Sequence, residues 1–184
     1  MEPDPSGSLL TAILIVLGLI IVAALFVAAE IAQISLRESQ VKQIALRGKR
    51  GARVAKLASN PNRLLAAAQV GVTFCGFLSA ALGAEKIGLH FIPWLMGRGI
   101  SEKSANTISL VTVTIVIAYV SLVLGELVPK RLALFRTEAI ALWSAAVVDY
   151  IAMAFRPIIW LLSKSTDQVV RIFGIDPKEQ REQM

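Results

Sequence analysis

Three uncharged runs constrain the fold of this chain more than any other feature of its sequence. Each run comprises 21 residues without a charged side chain, and the runs cover residues 9–29, 64–84 and 105–125. An α-helix rises about 1.5 Å per residue, so each run would extend about 30 Å, the thickness of the hydrocarbon layer of a bilayer. We therefore predict an all-α membrane protein with three transmembrane helices, at about residues 9–30, 64–84 and 105–126.

The composition and charge of the chain support a membrane protein and argue against other classes. With 55% hydrophobic residues and a mean hydropathy of +0.66, the chain is too apolar for an ordinary soluble domain. The net charge of +6 does not indicate nucleic-acid binding, because the basic residues are gathered between the apolar runs without interleaved aromatic residues. A single cysteine, Cys75, and a single histidine, His90, exclude an internal disulfide and a multi-histidine zinc site within the chain. We expect membrane lipid to surround it.

The distribution of charge predicts the topology. The segment 30–63 carries eight basic residues against two acidic ones, which by the positive-inside rule places it in the cytoplasm and the N-terminus outside. Within it, apolar residues recur at helical spacing on either side of two glycines, so residues 37–60 are predicted to form two short amphipathic helices at the membrane surface. The segment 85–104 has only three basic residues and is predicted to lie outside, with Pro93 and its aromatic neighbours in an interfacial turn.

The segment 137–172 is predicted to be a broken belt helix in the membrane interface rather than a fourth span. Asp149 lies in the middle of its apolar run, and Arg156 and Pro157 interrupt the run. A crossing here would also carry a basic tail to the outside, whereas tryptophans on both sides of the break are typical interfacial anchors. Residues 1–184 are thus predicted to form a single domain whose C-terminus is cytoplasmic.

A carboxylate and a proline follow the third uncharged run. Pro129 has no N–H and therefore cannot bond the carbonyl four residues back, that of Gly125, which leaves a backbone oxygen free beside Glu126. Two such oxygens at the end of an apolar helix suit a hard cation such as Mg²⁺ or Ca²⁺, and an ionisable group at membrane depth indicates a functional site. The alternative is that Glu126 marks the helix end and pairs with Lys130. The spacing leaves both interpretations open.

Further oxygen atoms at membrane depth come from six side chains: Gln69, Thr73 and Ser79 in the second span, Ser121 in the third, and Glu30 and Ser35 at the end of the first. Each has an ordinary structural alternative. A serine or threonine in a membrane helix usually bonds the carbonyl one turn back, and Glu30 could pair with a loop arginine. The amide of Gln69 needs partners in lipid. We interpret the four residues of the second and third spans as candidate ligands, and the two at the end of the first as candidates for a second ion or for ion access.

Small residues recur at every fourth position of the second span: Ala67, Gly71, Cys75, Ser79 and Gly83. A bilayer offers no hydrophobic drive for helix pairing, so such a stripe indicates close helix-helix packing. Its partner can be in the same chain or in a second copy. We predict a homodimer packed through the second and third spans.

The hexapeptide Gly125-Glu126-Leu127-Val128-Pro129-Lys130 resembles the G-E-x-x-P-K signature of the DUF21 membrane domain, found in the CNNM/CorC family of magnesium transporters. Three other stretches resemble the family in the same order along the chain: Phe26-Val27-Ala28-Ala29-Glu30-Ile31-Ala32, Arg37-Glu38-Ser39 and Gln69-Val70-Gly71-Val72-Thr73. Together they span almost the whole chain.

The resemblance implies transport or export of Mg²⁺, with Na⁺ coupling left open. The family builds its ion site from the first three spans and uses the Glu and Gly of the signature, which correspond to Glu126 and Gly125. Many members have Ser directly after the Phe of the first-helix motif and Asn in the second helix, whereas this chain has Val27 there and Val72 and Thr73 near the second position. The ligands from these two helices are therefore open, and Thr73, Gln69 or backbone carbonyls are candidates to substitute.

The family also has an interfacial, belt-like helix after its three spans, which agrees with the prediction made from the charges. A cytoplasmic pair of CBS domains and a further small domain usually follow it. This sequence contains neither, so we expect either a piece of a longer protein or a short family member, with cytoplasmic CBS domains in the full-length protein.

Two functions remain at this point. The sequence holds no nucleophile-base pair, phosphate-binding glycine loop or nucleotide motif, so we do not expect an enzyme. The first function is transport of a divalent cation through a site formed by the three spans. The second is a membrane-anchored regulator or assembly platform in which Glu126 is structural.

Overall fold

The computed structural model describes residues 5–59 and 61–172, and within these ranges the chain is helical and contains no strand. The α-helices are, in order, α1 (Pro5–Ile34), α2 (Glu38–Ala45), α3 (Gly48–Ala58), α4 (Pro61–Leu82), α5 (Gly88–Met96), α6 (Glu102–Val120), α7 (Val128–Phe135), α8 (Thr137–Ala154) and α9 (Arg156–Ile172). Two π-helical segments, Gly83–Ile87 and Ser121–Leu127, join α4 to α5 and α6 to α7. The predicted all-α fold is confirmed.

Three helical stretches are long and apolar enough to cross a membrane: Leu9–Ile34, Leu64–Met96 and Glu102–Phe135. The three predicted spans are thus confirmed, and the chain is a multi-pass membrane protein. Helix α1 is central, since it packs against α4, α7, α8 and the segment Ser121–Leu127. The faces of α1 accordingly differ in solvent exposure: Val16 and Ile20 are buried, whereas Leu14 and Ile21 are exposed.

The second span is longer than the sequence suggested, and the interfacial turn predicted around Pro93 is instead part of α5. This helix is held against α6, where the Ser109 hydroxyl donates a 2.6 Å hydrogen bond to the Gly88 carbonyl. The chain turns later, after Met96, where Gly99 has a φ of +83°. Packing on α6 therefore outweighs the single hydrogen bond that a proline removes from a helix.

The two short helices predicted within residues 37–60 are confirmed as α2 and α3, whereas their juxtamembrane position stays a prediction. They separate at Gly48, whose φ of +79° lies in the region that favours glycine. Gly51 lies against the Ile44 carbonyl, and no side chain would fit between them. Ile44, Val54 and the other buried apolar residues of this pair form one hydrophobic cluster with α1 and α8.

The stripe of small residues in α4 is buried within this chain. Ala67, Cys75 and Ser79 are each at most 5% exposed, Gly71 faces the ring of Phe26 on α1, and Gly83 faces Ile117 on α6. The partner that the stripe packs against is therefore in the same chain. A homodimer remains a prediction, and it would have to use another face of the spans.

The segment predicted to be a broken belt helix consists of α8 and α9, which bend by 84° at a short break, and its interfacial position stays a prediction. The break falls at Phe155, directly before Arg156 and Pro157. Both carboxylates of α8 pair with the juxtamembrane helices: Glu138 lies 3.2 Å from Arg47, and Asp149 lies 3.1 Å from Lys56. Helix α8 is therefore fixed to α3 and to the turn that precedes it.

Candidate functional site

The third span does not end at Glu126 but changes its hydrogen bonding there. In the π-helical segment Ser121–Leu127 the Val128 N–H donates to the carbonyl of Val123, five residues back. Pro129 follows in the first turn of α7, where it supplies no N–H to the carbonyl of Gly125. A π-helical turn of this kind is frequent at functional sites. The wider turn lets the helix pass the proline and continue to Phe135.

A cavity of about 50 Å³ lies beside this segment, between all three spans. Its lining combines residues of α1 and α4 with those of the π-helical segment: Ile20, Ala23, Val72, Cys75, Gly76, Ser79, Ser121, Gly125 and Glu126. A cavity of this size holds a small ion or about one water molecule. Four of the residues predicted as metal ligands thus share one cavity, namely Glu126, Gly125, Ser79 and Ser121.

The Ser79 hydroxyl is the most unusual polar group of this cavity. Its residue is 0% exposed, and its Oγ has no hydrogen-bond partner among the residues that the structure describes. A serine in a membrane helix ordinarily bonds the carbonyl one turn back, and a buried hydroxyl without a partner costs about 1–3 kcal/mol. A bound cation would use this oxygen as a ligand, and the free-energy cost of burying the hydroxyl without a partner would then be removed.

The pairing of Glu126 with Lys130 is also present. The Lys130 ammonium lies 3.3 Å from Glu126 Oε2, with 45% and 40% of the two side chains exposed. Glu30 of α1 is close enough to interact electrostatically with both Lys130 and Glu126. The ion pair and the cavity therefore share Glu126, so its two interpretations, as an ion ligand and as the partner of Lys130, concern the same side chain.

Three other candidates lie outside the cavity. The Gln69 amide donates to the Thr73 hydroxyl at 3.3 Å, and both side chains are exposed. Thr73 is six residues before Ser79, and the two side chains point about 120° apart around the helix axis. Ser35 follows the last turn of α1, where its N–H donates to the carbonyl of Ile31. These three residues and Glu126 are not brought together by the fold.

Sequence reasoning missed the buried Gln33 of α1, whose amide Nε2 donates to the carbonyl of Ala141 at 3.4 Å. A glutamine near the end of a span is itself the signal that could have drawn attention to it, as it did for Gln69. Gln33 fastens α1 to α8 and does not line the cavity beside Glu126.

The donor set of the cavity favours a hard cation. Among the described residues no group of three or more His, Cys, Asp or Glu side chains is placed to hold a metal. The site offers one carboxylate, a backbone carbonyl and two hydroxyls. Oxygen donors of this kind suit Mg²⁺, Ca²⁺ and Na⁺, whereas zinc sites use nitrogen and sulfur ligands.

Three packed spans, a π-helical turn and a half-buried carboxylate residue that lines a cavity between them define a helical membrane domain with a candidate cation site. The family model described as cyclin M transmembrane N-terminal domain (CNNM) matches residues 14–184. The chain belongs to this family, which confirms the resemblance found from its motifs.

Several curated proteins are similar to the chain over most of its length. UPF0053 protein sll0260 of Synechocystis is 40% identical over 88% of the chain, and UPF0053 protein YrkA of Bacillus subtilis is 31% identical over 89%. The polyamine export protein of Haemophilus influenzae is 25% identical over 89%. The chain spans 36% of the length of the first of these proteins and 38% of the other two.

Proposed function

We propose that this domain carries Mg²⁺ across the membrane through the cavity at Glu126, and that it is a transport domain rather than an enzyme. The observation that carries the proposal is that Glu126 and Ser79 line one small cavity between the three spans, and that the Ser79 hydroxyl has no hydrogen-bond partner among the described residues. Membership of the cyclin M family supports it.

The chemistry of Mg²⁺ fits the oxygen atoms that line the cavity. This ion prefers about six oxygens at about 2.1 Å and gives up its water reluctantly, so a site away from bulk water needs a negative charge together with neutral oxygens. Glu126 would supply the charge. Gly125, Ser79 and Ser121 would supply neutral oxygens, and bound water would complete the shell. If transport of Mg²⁺ is coupled to exchange for Na⁺, Glu30 of α1 would bind the second ion.

A polyamine is the second candidate cargo, because one relative is named a polyamine export protein. An ammonium group would also pair with Glu126. A polyamine, however, carries several ammonium groups spaced along a methylene chain, whereas the lining of the cavity includes one acidic residue, Glu126. A single compact cation matches this lining better.

A regulator or assembly platform is the rival of a different class, and the ion pair between Glu126 and Lys130 favours it. In that function the carboxylate would stabilise the helix and bind no ion. Calorimetry on the purified protein with Mg²⁺, Ca²⁺, Na⁺ and spermidine separates these possibilities, together with Mg²⁺ flux into liposomes.

Glu126→Gln is the decisive variant, because it keeps the size of the side chain and removes its charge. We expect it to abolish Mg²⁺ binding and flux in a protein that remains folded. Glu102→Gln, at the exposed start of α6, is the matched control and should behave like the parent. Normal Mg²⁺ binding by the Glu126 variant would support the platform instead.

We further propose that the N-terminus lies outside and the C-terminus in the cytoplasm, as the charge distribution indicates. Because the chain spans about a third of the length of its relatives, further domains such as the CBS pair are proposed as partners in the full-length protein. A homodimer in the membrane is proposed as the assembly.

A further inference from the structure

We propose that Lys130 is a tethered cation that occupies Glu126 while the ion site is free, and that Glu30 receives its ammonium when Mg²⁺ binds. This inference rests on the proposed function, and it assigns Lys130 and Glu30 a positioning role that sets how tightly the ion is held.

The position of Lys130 is the first argument. Among the described residues its ion pair is with Glu126, at 3.3 Å and one helical turn away. The carboxylate that Mg²⁺ would use therefore already carries a cation. Mg²⁺ and the ammonium cannot both take the same oxygen, so Lys130 competes with the ion for Glu126.

The position of Glu30 is the second argument. It lies on α1, which packs against both the π-helical segment and α7, and it is half-buried. Its carboxylate interacts electrostatically with Lys130 and Glu126 across the contact of α1 with these two segments. The lysine side chain has a flexible four-carbon stem, so its ammonium can move from Glu126 to Glu30 without movement of the helices.

The balance of charge is the third argument. Without the ion, two carboxylates and one ammonium leave a single net negative charge, and Glu126 is not left unpaired. With Mg²⁺ at Glu126, the displaced ammonium of Lys130 pairs with Glu30, so it is not left as an unpaired positive charge beside the ion. An exposed ion pair is weak, so the competitor is easily displaced. A transported ion must also leave again, which requires that it is not held too tightly.

The first test removes the competitor. Lys130→Met keeps the length of the side chain without its charge, and we expect it to bind Mg²⁺ roughly two- to fivefold more tightly by calorimetry, the gain that release from an exposed ion pair allows. In liposomes, flux should saturate at a lower Mg²⁺ concentration and reach a lower maximum, because the ion leaves more slowly. Lys130→Arg keeps the charge and should remain close to the parent.

The second test asks whether Glu30 acts through Lys130. Glu30→Gln should weaken Mg²⁺ binding several-fold in the parent, because the displaced ammonium loses its second partner. In the Lys130→Met background the same change should have no effect. A purely structural role, or simple attraction of the ion by Glu30, would instead give the same loss in both backgrounds.

The outcomes separate this inference from the proposed function. If the parent binds Mg²⁺, Glu126→Gln does not, and Lys130→Met binds no more tightly than the parent, the site stands and the competitor is refuted. If Glu126→Gln binds Mg²⁺ like the parent, the proposed function itself fails. Circular dichroism and the elution volume in detergent confirm folding, and Lys130→Gln provides a second uncharged variant, with the same expected gain in affinity, should the methionine protein not fold.

Discussion

The ammonium of Lys56 lies 3.1 Å from a carboxylate oxygen of Asp149, and this ion pair joins α3 to α8. The Asp149 side chain is only 13% exposed, so the charge that interrupts the apolar run of α8 is satisfied by a juxtamembrane helix. A charged group in the middle of a bilayer would be costly. The pair therefore favours an interfacial position for α8 over a crossing.

The first prediction concerns topology and uses cysteine labelling in intact cells, after replacement of Cys75 by alanine. A cysteine in place of Lys178, which lies outside the described residues, should react with an impermeant reagent only after the cells are permeabilised. A cysteine in place of Arg98, exposed in the turn after α5, is the control and should react directly. Direct labelling at position 178 would mean that α8 and α9 cross the membrane as one broken span.

The second prediction compares two glycines of α4. A Cβ on Gly71 would lie 2.6 Å from ring atoms of Phe26, whereas a Cβ on Gly76 would meet nothing within 4 Å. Gly71→Ala should therefore lower the midpoint of thermal unfolding in detergent, because overpacking costs about 1–3 kcal/mol. Gly76→Ala should not lower it.

The same pair of variants tests which contact the small-residue stripe makes. Because α1 covers Gly71 in the same chain, we expect Gly71→Ala to reduce stability and leave the oligomeric state unchanged. A shift from dimer to monomer at unaltered thermal stability would show that this face contacts a second copy.

The spans could be predicted from the sequence because charge is expensive inside a bilayer, so uncharged runs of sufficient length mark the crossings. The ends of the spans could not be predicted, because α5 is stabilised as a helix by its packing on α6 and by the hydrogen bond of Ser109. The π-helical segments also escaped prediction. A π-helical turn is defined by which carbonyl each N–H bonds, and the spacing of apolar residues does not indicate this.

Part of the candidate site could be predicted from the sequence, but not which of the candidates on α4 faces the cavity. The motif pointed to Glu126 and Gly125, which do line the cavity. For α4 the candidates were chosen by oxygen content, and Ser79, Gln69 and Thr73 were equal on that measure. Ser79 alone belongs to the stripe of small residues, which proves to be the buried face of the helix. The helical phase could therefore have distinguished the inward serine from the exposed Gln69 and Thr73.

The third prediction compares two buried serines, Ser79 and Ser144, whose hydroxyls have no hydrogen-bond partner among the described residues. Replacing either by alanine removes an unpartnered hydroxyl, so without Mg²⁺ each variant should be as stable as the parent or more stable, by up to about 1–3 kcal/mol. Only Ser79→Ala should also weaken Mg²⁺ binding, because only Ser79 lines the cavity at Glu126.

Calorimetry and thermal unfolding with and without Mg²⁺ check this comparison. Ser144 lies in the apolar cleft between α1 and α8, away from Glu126, and serves as the matched control. Unchanged Mg²⁺ affinity in the Ser79 variant would remove that hydroxyl from the ligand set. Equal losses of affinity in both variants would point to a general effect of packing.

The last prediction concerns Pro129 and the carbonyl of Gly125. Pro129→Ala restores an N–H one turn after Gly125, so the helix can return to regular α-helical bonding and occupy that carbonyl. Mg²⁺ binding should weaken by roughly three- to tenfold, the value of one hydrogen bond, and should not be abolished because Glu126 keeps its charge. Pro93→Ala is the matched control, since Pro93 also lies inside a helix but not at the cavity. The Pro93 variant should bind Mg²⁺ like the parent, and parent-like binding by the Pro129 variant would exclude the carbonyl as a ligand.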